Sequence, residues 1–122
     1  MATRQARLSH HARLKRPEEY HRVFSGNPVK IQSKALTLLA LPNVLGQPRL
    51  GIAVPKKHVP LSVQRNRLKR LVRESFRAHQ NKLMPLDIVI MARSNVAELS
   101  NREIVNRLNE QMDALVKKCG IS

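Results

Sequence analysis

Short apolar segments alternate with amphipathic ones along this chain, and this alternation restricts the folds that the chain can adopt. Four short segments, three of them apolar runs, are bounded by turn-forming residues, which predicts strands. These segments are 28–32, 35–41, 49–54 and 86–91. The last of them is the clearest, because its nearly continuous, β-branched apolar run is typical of a strand that is buried on both faces.

Three further segments have the apolar spacing of helices. A short helix should begin at Pro17, since proline suits the first helical position, and should end near Gly26. A long helix is predicted over 61–79, and a last helix begins with a capping box formed by Ser100 and Glu103. The predicted order is α-β-β-β-α-β-α. This order favours an α+β fold (an α/β sandwich) in which the helices pack on a small central sheet.

The length of 122 residues leaves room for one small core and therefore for one domain. We expect residues 1–15 to form a flexible basic arm, because they have no hydrophobic periodicity, and residues 16–120 to form the domain. The single cysteine, Cys119, continues the apolar face of the last helix and is expected in the core. One cysteine excludes an internal disulfide framework and cysteine-based zinc fingers. The sequence has no signal-peptide pattern and no membrane-length apolar run, which favours a cytoplasmic protein.

Positive charge dominates the chain and is concentrated in its middle. The 23 Lys and Arg residues outnumber the 8 Asp and Glu residues, so the formal charge is +15. No acidic residue lies between Tyr20 and Arg73. We therefore expect an unneutralised positive surface on the middle of the domain. A nucleic-acid backbone is its natural complement, because neutralising phosphates releases condensed counterions.

The long helix carries the most informative pattern. At ~100° per residue, one side of this helix is mainly apolar; it carries Leu68, Leu71, Val72, Ser75 and Phe76. The opposite side carries Asn66, Arg70, Arg73 and Arg77, flanked by Arg65 and Lys69. Arginine suits phosphate because its planar fork can bind two oxygens. The alternatives are a solvated basic face and a helix on a membrane surface, and the narrow apolar face without Trp disfavours the second.

Tyr20 and Phe24 lie one turn apart on the first predicted helix. Their spacing alone favours packing against the sheet. In a basic surround, however, such pairs also stack on unpaired bases, an interaction worth ~1–3 kcal/mol per base. His58, beside Lys56 and Lys57, is more simply explained as a loop residue than as a phosphate ligand.

Four of these segments resemble the protein subunit of bacterial ribonuclease P. Segment 65–76 (RNRLKRLVRESF) resembles the RNR signature of that family, and segment 18–24 (EEYHRVF) resembles its acidic-aromatic helix. Segments 51–57 (GIAVPKK) and 87–93 (DIVIMAR) resemble the strands before and after the RNR helix. The order and spacing agree from about residue 14 to residue 115. Tyr20 stands where the family commonly has Phe, and a phenol ring still stacks.

The resemblance implies a role in tRNA processing. In this family the RNA subunit carries out the hydrolysis that removes the 5′ leader from precursor tRNA, so the holoenzyme is an endoribonuclease whose protein subunit is not catalytic. The resemblance assigns catalytic-RNA binding to Arg65, Asn66, Arg67, Lys69, Arg70, Arg73, Arg77, Lys56 and Lys57. It assigns leader binding to Tyr20 and Phe24. It also implies a left-handed crossover around the RNR helix.

The resemblance further implies the cofactor and the partners. Mg²⁺ would be bound mainly by the RNA subunit and not firmly by the protein, and the partners would be ribonuclease P RNA and precursor tRNA, with no membrane and no obligate protein partner. The residues alone agree that the chain lacks a catalytic site, because no carboxylate pair suggests a two-metal nuclease. The alternatives are a small ribosomal or ribosome-assembly RNA-binding protein, and a nuclease in its own right.

Overall fold

A computed structural model describes residues 12–119 of the chain, except for the side chain of residue 94. The elements are α1 (Pro17–Ser25), β1 (Val29–Gln32), β2 (Leu36–Pro42), β3 (Arg49–Ala53), α2 (Ser62–His79), β4 (Leu86–Ala92) and α3 (Asn101–Cys119). Two short 3₁₀ turns, Gln80–Lys82 and Ser94–Glu98, follow α2 and β4. The predicted order α-β-β-β-α-β-α is confirmed. The predicted end of the last helix, Gly120, lies outside the described residues.

The strands form one mixed sheet in the order β1-β2-β4-β3. β2 pairs antiparallel with both β1 and β4, whereas β3 and β4 are parallel neighbours. A parallel pair requires a crossover connection, and α2 supplies it. The crossover around the RNR helix is therefore present, and its left-handedness stays a prediction. β4 lies inside the sheet and is almost entirely buried, as its apolar sequence predicted.

The two faces of the sheet are covered unequally. Successive side chains of a strand point to opposite faces, so β2 and β4 contribute to two separate clusters. The main core lies between the sheet and the pair α2 and α3, and the half-buried Cys119 packs against it. The second cluster lies under α1 and contains Leu14, Val23, Leu39 and Val89. Because α1 has only nine residues, part of this second face remains uncovered.

The predicted basic arm is too long. Ala12 and Leu14 are buried, and the Leu14 N–H donates to the Leu50 carbonyl oxygen at 2.9 Å. Arg13 forms an isolated parallel bridge with Leu50. Residues 12–14 therefore lie along the free edge of β3 and belong to the domain. Three residues are too few to show a periodicity, so the sequence did not indicate this pairing. The rest of the predicted arm, residues 1–11, lies outside the described residues.

The three helices begin differently. The Glu19 carboxylate accepts the Lys15 and Arg16 N–H groups at the start of α1. Ser100 and Glu103 form the predicted capping box of α3, with reciprocal bonds of 2.9 and 3.1 Å. By contrast, α2 has no acidic residue in its first turn and no side-chain cap.

Candidate nucleic-acid interface

The apolar face of α2 is buried as predicted, which fixes the orientation of its basic side. Asn66 and Arg70 are exposed on the side away from the core. Arg73 and Arg77 are half-buried at the border of the helix rather than at the centre of its exposed face. The predicted row of guanidiniums therefore extends from the exposed face toward the sheet, and Arg73 reaches a pocket there.

This pocket lies between α2, β3 and the segment before α1, and it has a volume of about 160 Å³. Its lining residues are Arg13, Leu14, Tyr20, Leu50, Ile52, Lys69 and Arg73. Three of them are cations, and none of these described lining residues is acidic. We call this site the cationic pocket.

The electrostatics of the cationic pocket favour an anion. Desolvation, followed by the nearby charge of Arg13, lowers the pKa of Arg73 below its usual value. The Arg13 Nε is buried and has no hydrogen-bond partner among the described residues. Two guanidiniums thus lie close together with an unsatisfied donor. A phosphate in the pocket would supply both the missing acceptor and the missing negative charge.

Tyr20 forms one wall of the cationic pocket, and its ring rests on Gly51. A Cβ atom at Gly51 would lie 2.7 to 2.9 Å from ring and hydroxyl atoms of Tyr20, so only glycine permits this approach. The Tyr20 hydroxyl accepts the Ile52 N–H at 3.3 Å and donates to the Leu14 carbonyl oxygen at 3.5 Å. Sequence reasoning treated the phenol only as a stacking ring and missed these bonds.

Phe24 lies one turn further along α1 and is 44% exposed. The two aromatic residues therefore differ, although their spacing suggested equal roles. Tyr20 is half-buried against the second cluster, whereas Phe24 offers much of its ring to solvent. The core residue of α1 is Val23, which is fully buried.

Beyond α1, strand register aligns a row of side chains that the sequence did not indicate; in this row Gln32 is exposed and Met91 and Ala53 are half-buried, whereas Thr37 is buried. Strand register aligns Gln32 with Thr37, Thr37 with Met91, and Met91 with Ala53. Arg93 is exposed beside this row, and its Nη1 lies 3.5 Å from the Thr37 Oγ1. The near-continuous apolar sequences of β2 and β4 conceal which residues share this face. Register alone would have identified them.

Part of the positive charge expected on the surface is neutralised inside the protein. Arg49 binds both carboxylate oxygens of Asp87 and also contacts Glu19 at 3.1 Å. Arg22 contacts Asp87 at 2.9 Å. We expected the positive charge on the middle of the domain to be unneutralised. This expectation is wrong for Arg22 and Arg49, because the fold brings acidic residues that are distant in sequence into contact with them. The cations of α2 and of the loop before it remain as the basic surface.

The basic residues of the RNR segment differ in their contacts: some are bonded to other parts of the protein, and others are exposed. The Arg65 Nη1 donates to the carbonyl oxygens of Val59 and Pro60, at 3.0 and 2.8 Å. Arg67 donates to the Asn101 side chain at the start of α3. Arg70 makes an exposed ion pair of 3.6 Å with Glu74, and such pairs contribute little to stability. Lys56 and Lys57 are exposed on the loop before α2.

Comparison with known proteins decides the family. A family model described as Ribonuclease P matches residues 8–118 of this chain. The chain belongs to the ribonuclease P protein family. Its sequence is 43% identical over 107 residues to a ribonuclease P protein component of Idiomarina loihiensis, covering 88% of this chain and 86% of that protein. It is 45% identical over 105 residues to the component of Azotobacter vinelandii, covering 86% and 81%.

Solved ribonuclease P proteins share the fold. The protein from Staphylococcus aureus superposes with a TM-score of 0.75 at 25% identity, covering 88% of this chain and 94% of that one. The protein from Thermotoga maritima gives a TM-score of 0.69 at 27% identity, covering 87% and 96%. The predicted α+β architecture and the family resemblance are both confirmed, and the terms tRNA processing and ribonucleoprotein apply to the family.

Two further observations concern metals and membranes in this ribonuclease P family member. Within residues 12–119, no three His, Cys, Asp or Glu side chains are grouped so that they could hold a metal ion. In the same part of the chain, no helix combines the length and the apolar character that crossing a bilayer requires.

Proposed function

We propose that this chain is the RNA-binding subunit of a ribonuclease P holoenzyme, in which it binds the catalytic RNA and the 5′ leader of precursor tRNA. Family membership supports the subunit role. The cationic pocket is the observation that carries the RNA contacts, because it joins the RNR helix to the α1 region through three cations and has no acidic residue among its described lining. We propose that the RNA partner performs the hydrolysis and binds most of the Mg²⁺, and that the holoenzyme works in the cytoplasm.

The start of α2 supports contact with phosphates. Arg65 and Arg67 lie near the positive end of the helix dipole, and the first turn has no acid and no side-chain cap. Cations at that end are unfavourable for the isolated helix. Backbone phosphates would reverse this effect, since the free N–H groups of that turn and the Arg67 guanidinium both attract them. We infer that Asn66, Lys69, Arg70, Arg73 and Arg77 face the catalytic RNA along the same helix, with Lys56 and Lys57 beside its start.

The leader would follow the uncovered face of the sheet. Phe24 offers an exposed ring on which an unpaired base can stack, and Tyr20 borders the cationic pocket next to it. The exposed Gln32 and the half-buried Met91, which flank the buried Thr37, continue this surface, and Arg93 provides a cation at its border. An extended single strand could therefore place its bases on the aromatic and sheet surface and its phosphates near the arginines.

The test uses precursor tRNA with the protein, with ribonuclease P RNA, and with both. We expect cleavage only when the RNA is present, and we expect the protein to enhance it most at low Mg²⁺ concentration. The double variant Arg13→Ala/Arg73→Ala should lose much of this enhancement, whereas Lys118→Ala, on the exposed end of α3, should retain it. Cleavage by the protein alone would instead identify a nuclease. An absence of any effect on the RNA would favour a ribosomal or ribosome-assembly role.

A further inference from the structure

The connection between β3 and α2, residues 54–61, is an ordered turn that carries exposed charge. The Pro55 carbonyl oxygen accepts the N–H groups of His58 and Val59, both at 3.0 Å. The Val59 side chain is 1% exposed and belongs to the main core. Lys56 and Lys57 project from this turn into solvent. We call residues 54–61 the lysine loop.

Arg65 closes the lysine loop onto α2. Its Nη1 donates to two consecutive carbonyl oxygens of the loop, those of Val59 and Pro60, at 3.0 and 2.8 Å. Pro60 has no N–H group, and Leu61, at the N-cap of α2, contributes no side-chain bond. The Arg65 side chain therefore ties the end of the loop to the first turn of α2. Because a guanidinium only donates, it does not cap the free N–H groups of that turn.

We propose that Arg65 is a positioning residue that holds Lys56 and Lys57 against the RNA-binding side of α2. This inference rests on the proposed function, because it concerns how the catalytic RNA is bound. Its physical basis is pre-organisation: two lysines on a loose loop would lose conformational freedom on binding, whereas a loop that is already ordered avoids that loss. Arg65 thus acts through the lysine loop, and Arg70, which is exposed on the helix, contacts phosphate directly.

A double-mutant cycle separates positioning from direct contact. Ribonuclease P RNA is titrated with four proteins: the unmodified chain, Arg65→Ala, Lys56→Ala/Lys57→Ala, and the combination of all three changes. Affinity is measured at several salt concentrations, because each phosphate bound by a cation contributes ~0.7 to 0.9 to the slope of log K against log salt. Arg70→Ala serves as the direct-binding control, and its slope should fall by the equivalent of one phosphate.

We expect Arg65→Ala to lower the salt slope by the equivalent of about two phosphates, as the removal of both lysines does. In the Arg65→Ala background, removing the lysines should then change Kd only slightly. The two changes are thus coupled by roughly tenfold in Kd, which is typical of residues in one network. The proposal is overturned if the effects of Arg65→Ala and of the lysine change on Kd multiply independently and the salt slope of the combined variant is lower by ~0.7 to 0.9 than that of the lysine variant. Arg65 would then be a direct phosphate ligand. An unchanged affinity of Arg65→Ala would overturn it as well.

A second variant guards against a folding defect. The thermal midpoint of each protein is measured first, and binding is compared where all variants are folded. If Arg65→Ala does not fold, Arg65→Gln replaces it, because the amide removes the charge and keeps an N–H donor on a side chain two bonds shorter. A salt slope in Arg65→Gln that is retained, or that falls by the equivalent of two phosphates because the shorter side chain releases the loop, supports positioning, and a slope that falls by the equivalent of one phosphate contradicts it. If neither Arg70→Ala nor the lysine change weakens RNA binding, the proposed RNA site itself fails.

Discussion

Arg49 holds the buried carboxylate of Asp87 through two parallel hydrogen bonds of 2.8 Å, from Nε to Oδ1 and from Nη2 to Oδ2. Burial alone would raise the pKa of Asp87, but the hydrogen bonds from Arg49, Arg22 and Asn43 hold it below its usual value. Because Arg22 lies on α1 and Glu19 of α1 also contacts Arg49, the pair fixes α1 on the sheet. The position of the aromatic side chains of α1 depends on this network.

Asp87→Asn should destabilise the domain strongly. The change preserves the shape of the side chain but leaves the Arg49 and Arg22 guanidiniums without their shared counter-charge. Removing one partner of a buried ion pair costs about 3–5 kcal/mol of unfolding free energy. Urea denaturation measures the effect, and Glu110→Gln, at an exposed position of α3, is the matched control with no expected change. A loss in Asp87→Asn no larger than that of the control would contradict the role of the network.

The same network predicts a loss of stability in acid. Hydrogen bonds from the Arg16 and Lys15 backbone, together with Arg49, lower the pKa of Glu19, and the pKa of Asp87 is lowered as described above. Carboxyl groups with lowered folded-state pKa values stabilise the fold above their unfolded values of 4.5 and 3.8. This stability is lost as the pH falls through the still lower folded values.

The measurement is the unfolding free energy from about pH 7 to about pH 2. We expect Glu19→Gln to have a flatter acid limb than the unmodified protein. A variant curve that runs parallel to the original over the whole acid range would show that Glu19 does not contribute.

Tyr20→Phe should lower stability even though the family commonly has Phe at this position. The change keeps the ring on Gly51 but removes the bonds to the Ile52 N–H and the Leu14 carbonyl oxygen. A typical hydrogen bond contributes about 0.5–1.5 kcal/mol, so we expect a loss in that range. Thermal unfolding measures it. Discrimination between precursor and mature tRNA should persist, because the stacking face remains; a loss of discrimination would mean that the hydroxyl contacts the leader.

The elements could be predicted from the sequence because each carries its own local signal. The capping box of Ser100 and Glu103 and the apolar face of α2 are patterns within one segment. The features that the sequence did not predict all depend on contacts between segments that are distant in sequence. Arg49 appeared to be a free cation because its partners, Glu19 and Asp87, are 30 and 38 residues away. The pairing of Arg13 with β3 and the row through Thr37 depend on strand register, which near-continuous apolar strands do not reveal.

Arg73→Met should make the free protein no less stable while weakening RNA binding. Desolvation and the charge of Arg13 disfavour the Arg73 guanidinium in the free protein, as its lowered pKa indicates, and Met keeps the apolar stem. We expect an unchanged or higher thermal midpoint at low salt, with any gain shrinking as salt screens the repulsion. The salt slope for ribonuclease P RNA should fall by ~0.7 to 0.9. A lower midpoint with an unchanged slope would assign Arg73 to the fold alone.

Phe24→Leu should weaken leader binding and leave the fold largely intact. Because Phe24 is 44% exposed, its truncation leaves little cavity, and we expect the unfolding free energy to change by less than about 1 kcal/mol. The loss of one stacked base should cost ~1–3 kcal/mol in the affinity of the holoenzyme for precursor tRNA. Affinity for mature tRNA, which has no leader, should not change.

The deciding quantity for Phe24 is the ratio of the holoenzyme affinities for precursor and mature tRNA, read together with the thermal midpoint of the free protein. Val44→Ala is the matched control, since Val44 is an exposed apolar residue on the β2–β3 loop, 98% accessible and outside the proposed leader path. It should change neither quantity. A lowered midpoint with an unchanged ratio in Phe24→Leu would place Phe24 in the packing of α1, and the leader would then have to be recognised by the cationic pocket and the Thr37 row without this ring.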